Sequence, residues 1–389
     1  MKNLRGYLVA AIFAVISGAL IAFAKAHSVL VDMIYPYMTR LVISTLADMN
    51  AGGGVVWQWL LVVLVLLGIA TVAMMIFFKW NPIRCIGWML AVVSLISMLN
   101  TALYGLNAYT SPLADDMRLE VTNYTVSELY EATVYFRDKA NELATQVSRD
   151  GKGDVDFGTF EQMAEQAGEG FRNLTYQEAL SVYAGSTVPV KKQFLFCTRG
   201  DSGITVALTG EACVNPNVPT VSMPFAMCKE MAHRMTIYSD ADANFSAFLA
   251  ASHNSSVDFQ YSAYLMAYYY CYHALANIPT STAQACAEQT AAGENQLVKN
   301  DLADCAKFYD YSKESRSQDH NITEEGQDDP QEETSVVTFS SYSSSTDLFA
   351  SWYIQNFILP EHRQEEAPFD PYDPTQVDIT GIVNAPTAG

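Results

Sequence analysis

The 389-residue sequence predicts an α+β protein in which three membrane-spanning helices precede a mainly helical domain with a small sheet. Two observations lead to this fold class. Half of the residues are hydrophobic although the formal net charge is −20, and the two properties belong to different parts of the chain. Long apolar runs fill the first 106 residues, and all but two of the 42 acidic residues follow them. We therefore expect a transmembrane region over 1–106 and a polar domain after it.

Three apolar runs form the predicted transmembrane region, over residues 7–24, 55–78 and about 85–106. A helix needs about 20 mainly apolar residues to cross the hydrocarbon core of a bilayer, and each run is long enough. The first run would also fit a cleaved signal peptide, since Ala24-Lys25-Ala26 is similar to a cleavage site. The length of this run and the two spans after it favour a retained helix.

Positive charges beside the apolar runs give the predicted orientation. Lys2 and Arg5 precede the first run, and Lys79 and Arg84 lie between the second run and the third. Because Lys and Arg favour the cytoplasmic side, the N-terminus is expected inside the cell and residues 107–389 outside. The expected protein is a multi-pass cell-membrane protein with an extracytoplasmic C-terminal domain, and the lipid bilayer is its first partner.

The charge and the cysteines of the outer part restrict its partners and its chemistry. Its surplus of negative charge would repel a phosphate backbone, so nucleic acid is not an expected partner. All but one of the seven cysteines lie there, and an oxidising compartment would permit disulfides among them. Cys197 with Cys213, which bracket a predicted hairpin, and Cys286 with Cys305 are candidate pairs, but spacing does not choose a connectivity.

Helical and strand-like patterns follow one another along residues 107–311, the predicted folded domain. Apolar spacing over 126–147 predicts an amphipathic helix, and residues 190–197 and 203–208 have the composition of strands. The stretch TGEACVN at 209–215 is interpreted as an edge strand. Three helices are predicted next: one over 224–237 capped by Ser222, one that starts at Ser239 with a capping box to Asp242, and a tyrosine-rich one after Asp258.

The remaining residues divide into two predicted segments. Residues 312–346 are acidic and serine-rich, which is typical of a flexible, solvated insertion. Residues 347–389 are expected to form one helix, DLFASWYIQNFI, and then a proline-rich irregular tail.

The stretch KEMAH, from Lys229 to His233, points to chemistry. It differs at its first position from the zinc-protease motif H-E-x-x-H, in which two histidines one helical turn apart bind zinc and the glutamate acts as general base. Glu230 holds the general-base position and His233 the position of the second histidine. A lysine is an ammonium ion at neutral pH and does not ligate zinc. Catalytic zinc needs three protein ligands and a water, so this replacement predicts a degenerate metal site.

Six stretches together resemble a family of bacterial membrane proteins grouped as domain of unknown function 3810, whose members look like zincin-type (gluzincin) metallopeptidases. They are ELYEATVYFRDKANELA, TGEACVN, MPF, KEMAH, DADANFSAFLA and DFQYSAYL, and the resemblance extends to about residue 276. In that family the helix looks like H-E-L-A-H, with E-x-E-A-N-F after it. The resemblance implies a zincin-like outer domain in which Lys229 replaces the first ligand, His233 is the second and Asp242 the third. Glu211 in TGEACVN and Tyr261 in DFQYSAYL are further candidate site residues.

This resemblance implies a catalytically impaired pseudo-metallopeptidase that binds a peptide or protein outside the cell, along the strand at 209–215. No cofactor is expected, and zinc would be required only by an active enzyme. One alternative is an active zinc-dependent metallopeptidase in which another side chain supplies the missing ligand. A second alternative is a structural envelope protein. We also expect the ammonium of Lys229 to take the place of the metal charge and to pair with Asp242, and possible pairing with Glu230 is left open.

Overall fold

The computed structural model describes residues 2–175, 180–309, 321–326, 333–339, 342 and 344–359. As the sequence predicts, the described part is mostly helical with small sheets. Four long helices come first: α1 (Arg5–Ala26), α2 (Ser28–Asn50), α3 (Val56–Phe77) and α4 (Pro82–Leu103).

All four of these helices are long and apolar enough to cross a membrane, whereas the apolar runs of the sequence predicted three such helices. The helix that the prediction missed is α2. Its 18-residue candidate span has a mean hydropathy of 1.2, against 1.8 to 3.0 for the other three helices, and Asp32, Arg40 and Asp48 are distributed along its length. Those charges interrupt the apolar run by which a span is recognised in a sequence.

Helices α1 and α4 pack side by side and run in the same direction. Near their N-terminal ends, Gly6 and Gly87 approach so closely that a Cβ on Gly6 would lie 2.4 Å from the Gly87 carbonyl carbon. At the other end, Ala24 in the last turn of α1 shares a small apolar cluster with Leu106, which follows α4. Glycine at both positions permits this approach of two backbones, as in other membrane helix pairs.

The C-terminal domain, which follows α4, surrounds one hydrophobic core with helices. They are α5 (Leu113–Met117), α6 (Val126–Ala144), α7 (Phe160–Thr175), α8 (Met223–Arg234), α9 (Asp240–Ser252), α10 (Val257–Asn277), α11 (Ser281–Ala292), α12 (Gln296–Phe308) and α13 (Ser345–Tyr353), which continues into a π-helical turn at Ile354–Ile358. Phe136, Phe248 and Phe349 are fully buried and meet edge to face at the centre of this core. Such aromatic pairs add stability beyond the area that they bury.

Two details of the predicted helices are corrected. Ser222 does not cap α8, because its hydroxyl donates to the carbonyl of Pro219 in a preceding 3₁₀ turn. The helix ends at Arg234 rather than near Ile237, and Thr236 just beyond it adopts a left-handed φ of 72° that a helix does not continue.

One sheet consists of β2 (Lys191–Lys192), β3 (Gly203–Val206) and β4 (Glu211–Val214) in the order β2-β4-β3. Strand β2 is parallel to β4, and β3 is antiparallel to it. The stretch TGEACVN therefore forms the central strand, and its interpretation as an edge strand is wrong. All four residues of β4 are buried, as a central strand requires, and β3 is an edge strand among the described residues.

The second sheet joins β1 (Tyr124–Thr125), β6 (Glu333–Thr338) and β5 (Asn321–Gly326) through antiparallel pairs. Two of these strands lie within residues 312–346, for which the composition predicted a flexible loop. The β-branched residues of ETSVVT allow β6 to pair on both sides, which corrects the expectation for this part. Residues 310–320 and 327–332 of this region, and the predicted irregular tail from residue 360 onward, lie outside the described residues.

The seven cysteines all lie within the described residues, and none of them forms a disulfide there. Cys213 is instead buried in β4, where its sulfur lies 3.3 Å from the indole Nε1 of Trp57. The candidate pairs Cys197 with Cys213 and Cys286 with Cys305 are therefore not formed.

Strand β4 connects the C-terminal domain to the start of α3. The Glu211 carboxylate accepts hydrogen bonds from the backbone N–H groups of Val56 and Trp57, each at 2.8 Å. The ammonium of Lys191 lies 2.7 Å from the same carboxylate and also donates to the carbonyls of Asn50 and Gly54. A helix N-terminus attracts an anion because its first N–H groups lack partners within the helix.

We expect Glu211→Ala to lower the free energy of unfolding by ~3–5 kcal/mol, because it leaves the ammonium of Lys191 without its carboxylate in a nearly buried site. The measurement is denaturant unfolding of the full-length protein in detergent. Glu142→Ala is the matched control, since it removes an exposed carboxylate that binds Lys139 at 3.2 Å and should cost at most ~1 kcal/mol. Equal stability of the two variants would contradict this assignment.

Candidate functional site: a charged cleft beside an edge strand

A cleft of about 850 Å³ lies between β3 on one side and helices α8 and α9 on the other. Strand residues, charged side chains and a group of tyrosines line it. The strand and charged residues include Ser202, Gly203, Thr205, Lys229, Glu230, His233 and Asp240. The cleft is open to solvent.

Helix α8 brings the KEMAH residues into this cleft. Lys229 and His233 are one turn apart and share a helix face, and Glu230 lies beside them. The other side of α8 is held in the core by fully buried Met227 and Met231. This packing fixes the rotation of the helix and thereby the direction of its charged residues.

The acid that meets Lys229 is Asp240, at the first position of α9. The Lys229 Nζ atom lies 2.8 Å from Asp240 Oδ1, and His233 Nε2 lies 3.5 Å from the same oxygen. Asp240 stands at the mouth of the cleft with 80% of its side chain exposed. The charge of Lys229, with the imidazole of His233, holds the pKa of Asp240 well below its ordinary value.

Asp242, the predicted partner of Lys229 and third ligand, points away from these groups. Its carboxylate accepts hydrogen bonds from the hydroxyls of Ser239 at 2.7 Å and Tyr342 at 2.8 Å. It lines a second cavity of about 980 Å³, on the side of α2. Two residues along a helix are about 200° apart, so Asp240 and Asp242 necessarily face opposite sides of α9.

Glu230, in the general-base position, is buried beneath β3. The Thr205 hydroxyl lies 3.1 Å from Oε2, and the Ser202 hydroxyl lies 3.4 Å from Oε1. Gly203 permits this contact, because a Cβ there would lie 2.8 Å from the Glu230 Cγ atom. Burial raises the pKa of Glu230, against the opposing effects of His233, Lys229 and the Thr205 hydrogen bond.

His233 is oriented by its other ring nitrogen. Its Nδ1 lies 2.9 Å from the carbonyl oxygen of Ile237, to which an Nδ1–H group donates, and the Tyr104 hydroxyl is 3.4 Å away. This bond directs Nε2 toward Asp240 in the cleft. Histidines that bind metals are commonly held by a carbonyl in the same way.

The groups in the cleft do not fit a catalytic zinc ion. Among the residues that the structure describes, no group of three or more His, Cys, Asp or Glu side chains is placed to hold a metal. His233 and Asp240 supply two donors, and the ammonium of Lys229 already binds the Asp240 carboxylate. Zinc would lack a third protein ligand and would meet a positive charge at the first ligand position.

A family model described as protein of unknown function (DUF3810) matches residues 20–323. The chain belongs to this family. The match extends from within α1 to within β5 and includes the whole cleft. No curated protein and no solved structure matches the chain. Membership in DUF3810 thus agrees with the sequence-based prediction, while the family description assigns no activity.

Two other predicted site residues of this DUF3810 protein lie elsewhere. Glu211 binds the start of α3, as described above. The Tyr261 hydroxyl donates to Asp301, whose carboxylate also binds Arg149 in a bidentate ion pair at 2.7 and 3.1 Å. Because Tyr261 and Asp301 are buried in this network, Tyr261 is a structural residue of α10.

Sequence reasoning missed Asp240, Thr205 and Ser202. A signal existed only for Asp240. DADANF contains two acids that must face opposite sides of a helix, so Asp240 had to differ in role from Asp242. The two hydroxyls could not be found in advance, because they reach Glu230 only through the packing of β3 against α8, across 25 residues of sequence or more.

We expect Glu230→Gln to stabilise the folded protein increasingly as the pH rises. The folded-state pKa of Glu230 is raised above its ordinary value of 4.5, so its ionisation opposes folding above that pH. Glutamine keeps the shape and removes the charge. Thermal unfolding in detergent should therefore show a higher midpoint for the variant at pH 8 and a shrinking difference toward pH 4. Glu165→Gln, on the exposed face of α7, is the control, and a pH-independent difference for Glu230→Gln would contradict this account.

Proposed function

We propose that this DUF3810 protein is a membrane-anchored, zincin-like pseudo-metallopeptidase whose outer domain binds an extended peptide or protein segment. The observation that carries the proposal is the edge strand β3 beside the KEMAH helix, with an open cleft between them. A cleft of this kind favours a binding function over the alternative of a purely structural envelope protein.

The backbone of β3 supports binding by strand addition. The N–H of Asn215 donates to the Ser202 carbonyl at 2.8 Å, which makes these two residues a hydrogen-bonded pair of the antiparallel ladder. In such a ladder alternate residues turn their N–H and C=O groups outward, so Gly203 and Thr205 present theirs to the open edge. An extended segment can pair with these groups, and its side chains would then enter the cleft.

The charged residues of the cleft support a role without zinc hydrolysis. Lys229 supplies the positive charge that a metal would supply, and Asp240 compensates it at 2.8 Å. An active peptidase is the second candidate, and the observation in its favour is that His233 and Glu230 keep the types and positions of a ligand and a general base. That candidate requires a further ligand, and a bound zinc ion in the purified protein would distinguish it.

The proposed location of the cleft is outside the cell. Lys79 and Arg84 flank the turn from α3 to α4, and Lys2 and Arg5 stand at the start of α1. Because α1 and α4 run in the same direction, these positive charges lie at the same side of the bilayer. The proposal places that side in the cytoplasm and the C-terminal domain on the opposite side.

A photo-crosslinking amino acid at Ile204 tests the binding proposal. This side chain is 39% exposed on β3, and the full-length protein is irradiated in its native membranes. We expect covalent adducts with a peptide or protein, which mass spectrometry identifies by their attachment at 204. The same amino acid at Glu288, exposed on α11, is the control for random collisions. No adduct at 204, or the same adducts at both positions, would contradict binding along β3.

A further inference from the structure

Helix α2 has a polar side that contacts the outer domain along its length. Near its start, Asp32 accepts hydrogen bonds from the backbone N–H and the hydroxyl of Ser111, each at 2.7 Å. In its middle, Arg40 Nε donates to the carbonyl of Met235 at 3.0 Å. Near its end, Asp48 accepts from the Ser186 hydroxyl at 3.0 Å. The three charged residues of α2 therefore all lie in its interface with the domain or at the edge of that interface.

Next to these charges α2 also has an apolar, exposed stripe. Large hydrophobic side chains recur at four-residue steps at Val29, Met33, Tyr37 and Leu41, Met49 follows after Thr45, and each of the five is 61% exposed or more. The stripe begins beside the charged residues, since the Arg40 guanidinium lies over the Tyr37 ring, and Met33 and Tyr37 also line the second cavity. A helix with one apolar stripe and one polar side is typical of helices that lie at a membrane interface.

The direction of α1 and α4 limits how many helices between them can cross a bilayer. Consecutive crossings alternate in direction, so a first and a fourth crossing would be antiparallel. The close approach of Gly6 to Gly87 at one end, and of Ala24 to Leu106 at the other, makes α1 and α4 parallel. An odd number of crossings must therefore separate them, which means that one of α2 and α3 crosses and the other does not.

Helix α3 is the one suited to cross. It contains no charged residue, and its 18-residue candidate span has a mean hydropathy of 3.0, against 1.2 for that of α2. Both ends of α2 must then lie on the same side of the bilayer. Only His27 separates α2 from α1, and residues 51–55 separate it from α3, so neither end can move far from that bilayer surface.

We infer that α2 is an interfacial helix that lies on the bilayer surface, with its apolar stripe in the lipid and its polar side under the outer domain. The lipid bilayer is what covers the apolar stripe, since α2 is connected at both ends to helices that cross the bilayer. At 1.5 Å per residue the 23 residues of α2 span ~35 Å, so the domain rests on an extended strip of membrane. On the proposed orientation this surface is the outer leaflet, but the inference from helix directions does not depend on which side is outside.

Depth measurements by electron paramagnetic resonance test this inference. A ketone amino acid coupled to a nitroxide is introduced singly at Met33, Tyr37 or Leu41, which leaves the native cysteines unaltered. The full-length protein is placed in phosphatidylcholine liposomes, and the accessibility of each label to oxygen and to a water-soluble nickel chelate is compared. We expect the three labels to lie at similar depths, ~5–10 Å below the headgroups.

Labels at Leu60, Leu67 and Ile76 on α3 are the matched control. All three positions are exposed, and the label at Leu67 should be the deepest, ~15 Å below the headgroups, at the centre of a crossing helix. If the label at Tyr37 on α2 were equally deep, with shallower labels on either side, the inference would be overturned in favour of a fourth crossing. Exclusion of both reagents from the α2 stripe, with dipolar coupling between labels on two chains, would overturn it in favour of a second copy as the occupant.

Discussion

The position of the cleft depends on one buried carboxylate, that of Glu211. It binds the first N–H groups of α3 and the ammonium of Lys191, which in turn holds the linker between α2 and α3. Glu211 belongs to the central strand β4, so the membrane helix, the sheet and its edge strand β3 form one connected unit. Because β3 also covers Glu230 on α8, the charged cleft is held at a fixed place relative to the membrane helices.

Within the cleft, an ion pair occupies the place that the proposed function assigns to the metal of a metallopeptidase. Lys229 and Asp240 balance each other, His233 keeps an oriented imidazole, and Glu230 stays beneath the strand. Burial of a carboxylate is tolerated here because two hydroxyls and two nearby cationic or titratable groups surround it. Under the proposed function, Glu230 and His233 keep the positions of a general base and a ligand, while Lys229 and Asp240 bind each other.

Local patterns predicted α6, α8, α9, α10 and α13 of the C-terminal domain, because helical periodicity and capping residues act over a few neighbours, but they did not predict α5, α7, α11 and α12. The same patterns failed for α2, whose charges lower its hydropathy and meet partners that are up to 195 residues away. The prediction that TGEACVN is an edge strand was wrong for a similar reason. Its four buried residues indicate a strand, but they do not indicate which strands lie beside it. The choice of Asp242 over Asp240 came from carrying a motif over by position, which does not include the direction in which a side chain leaves its helix.

The central claim is that the cleft is a zinc-protease framework in which Lys229 stands in for the first ligand. Its most direct test is the zinc content, by elemental analysis, of the purified full-length protein and of the double variant Lys229→His/Asp240→Glu, with Lys229→His/Asp242→Glu as the control. With the His233 imidazole, the two substituted side chains of the double variant make three zinc ligands. The account therefore predicts about one zinc per chain for the double variant and well below that for the native protein and the control. About one zinc per chain in the native protein, or none in Lys229→His/Asp240→Glu when it remains folded, would contradict the account.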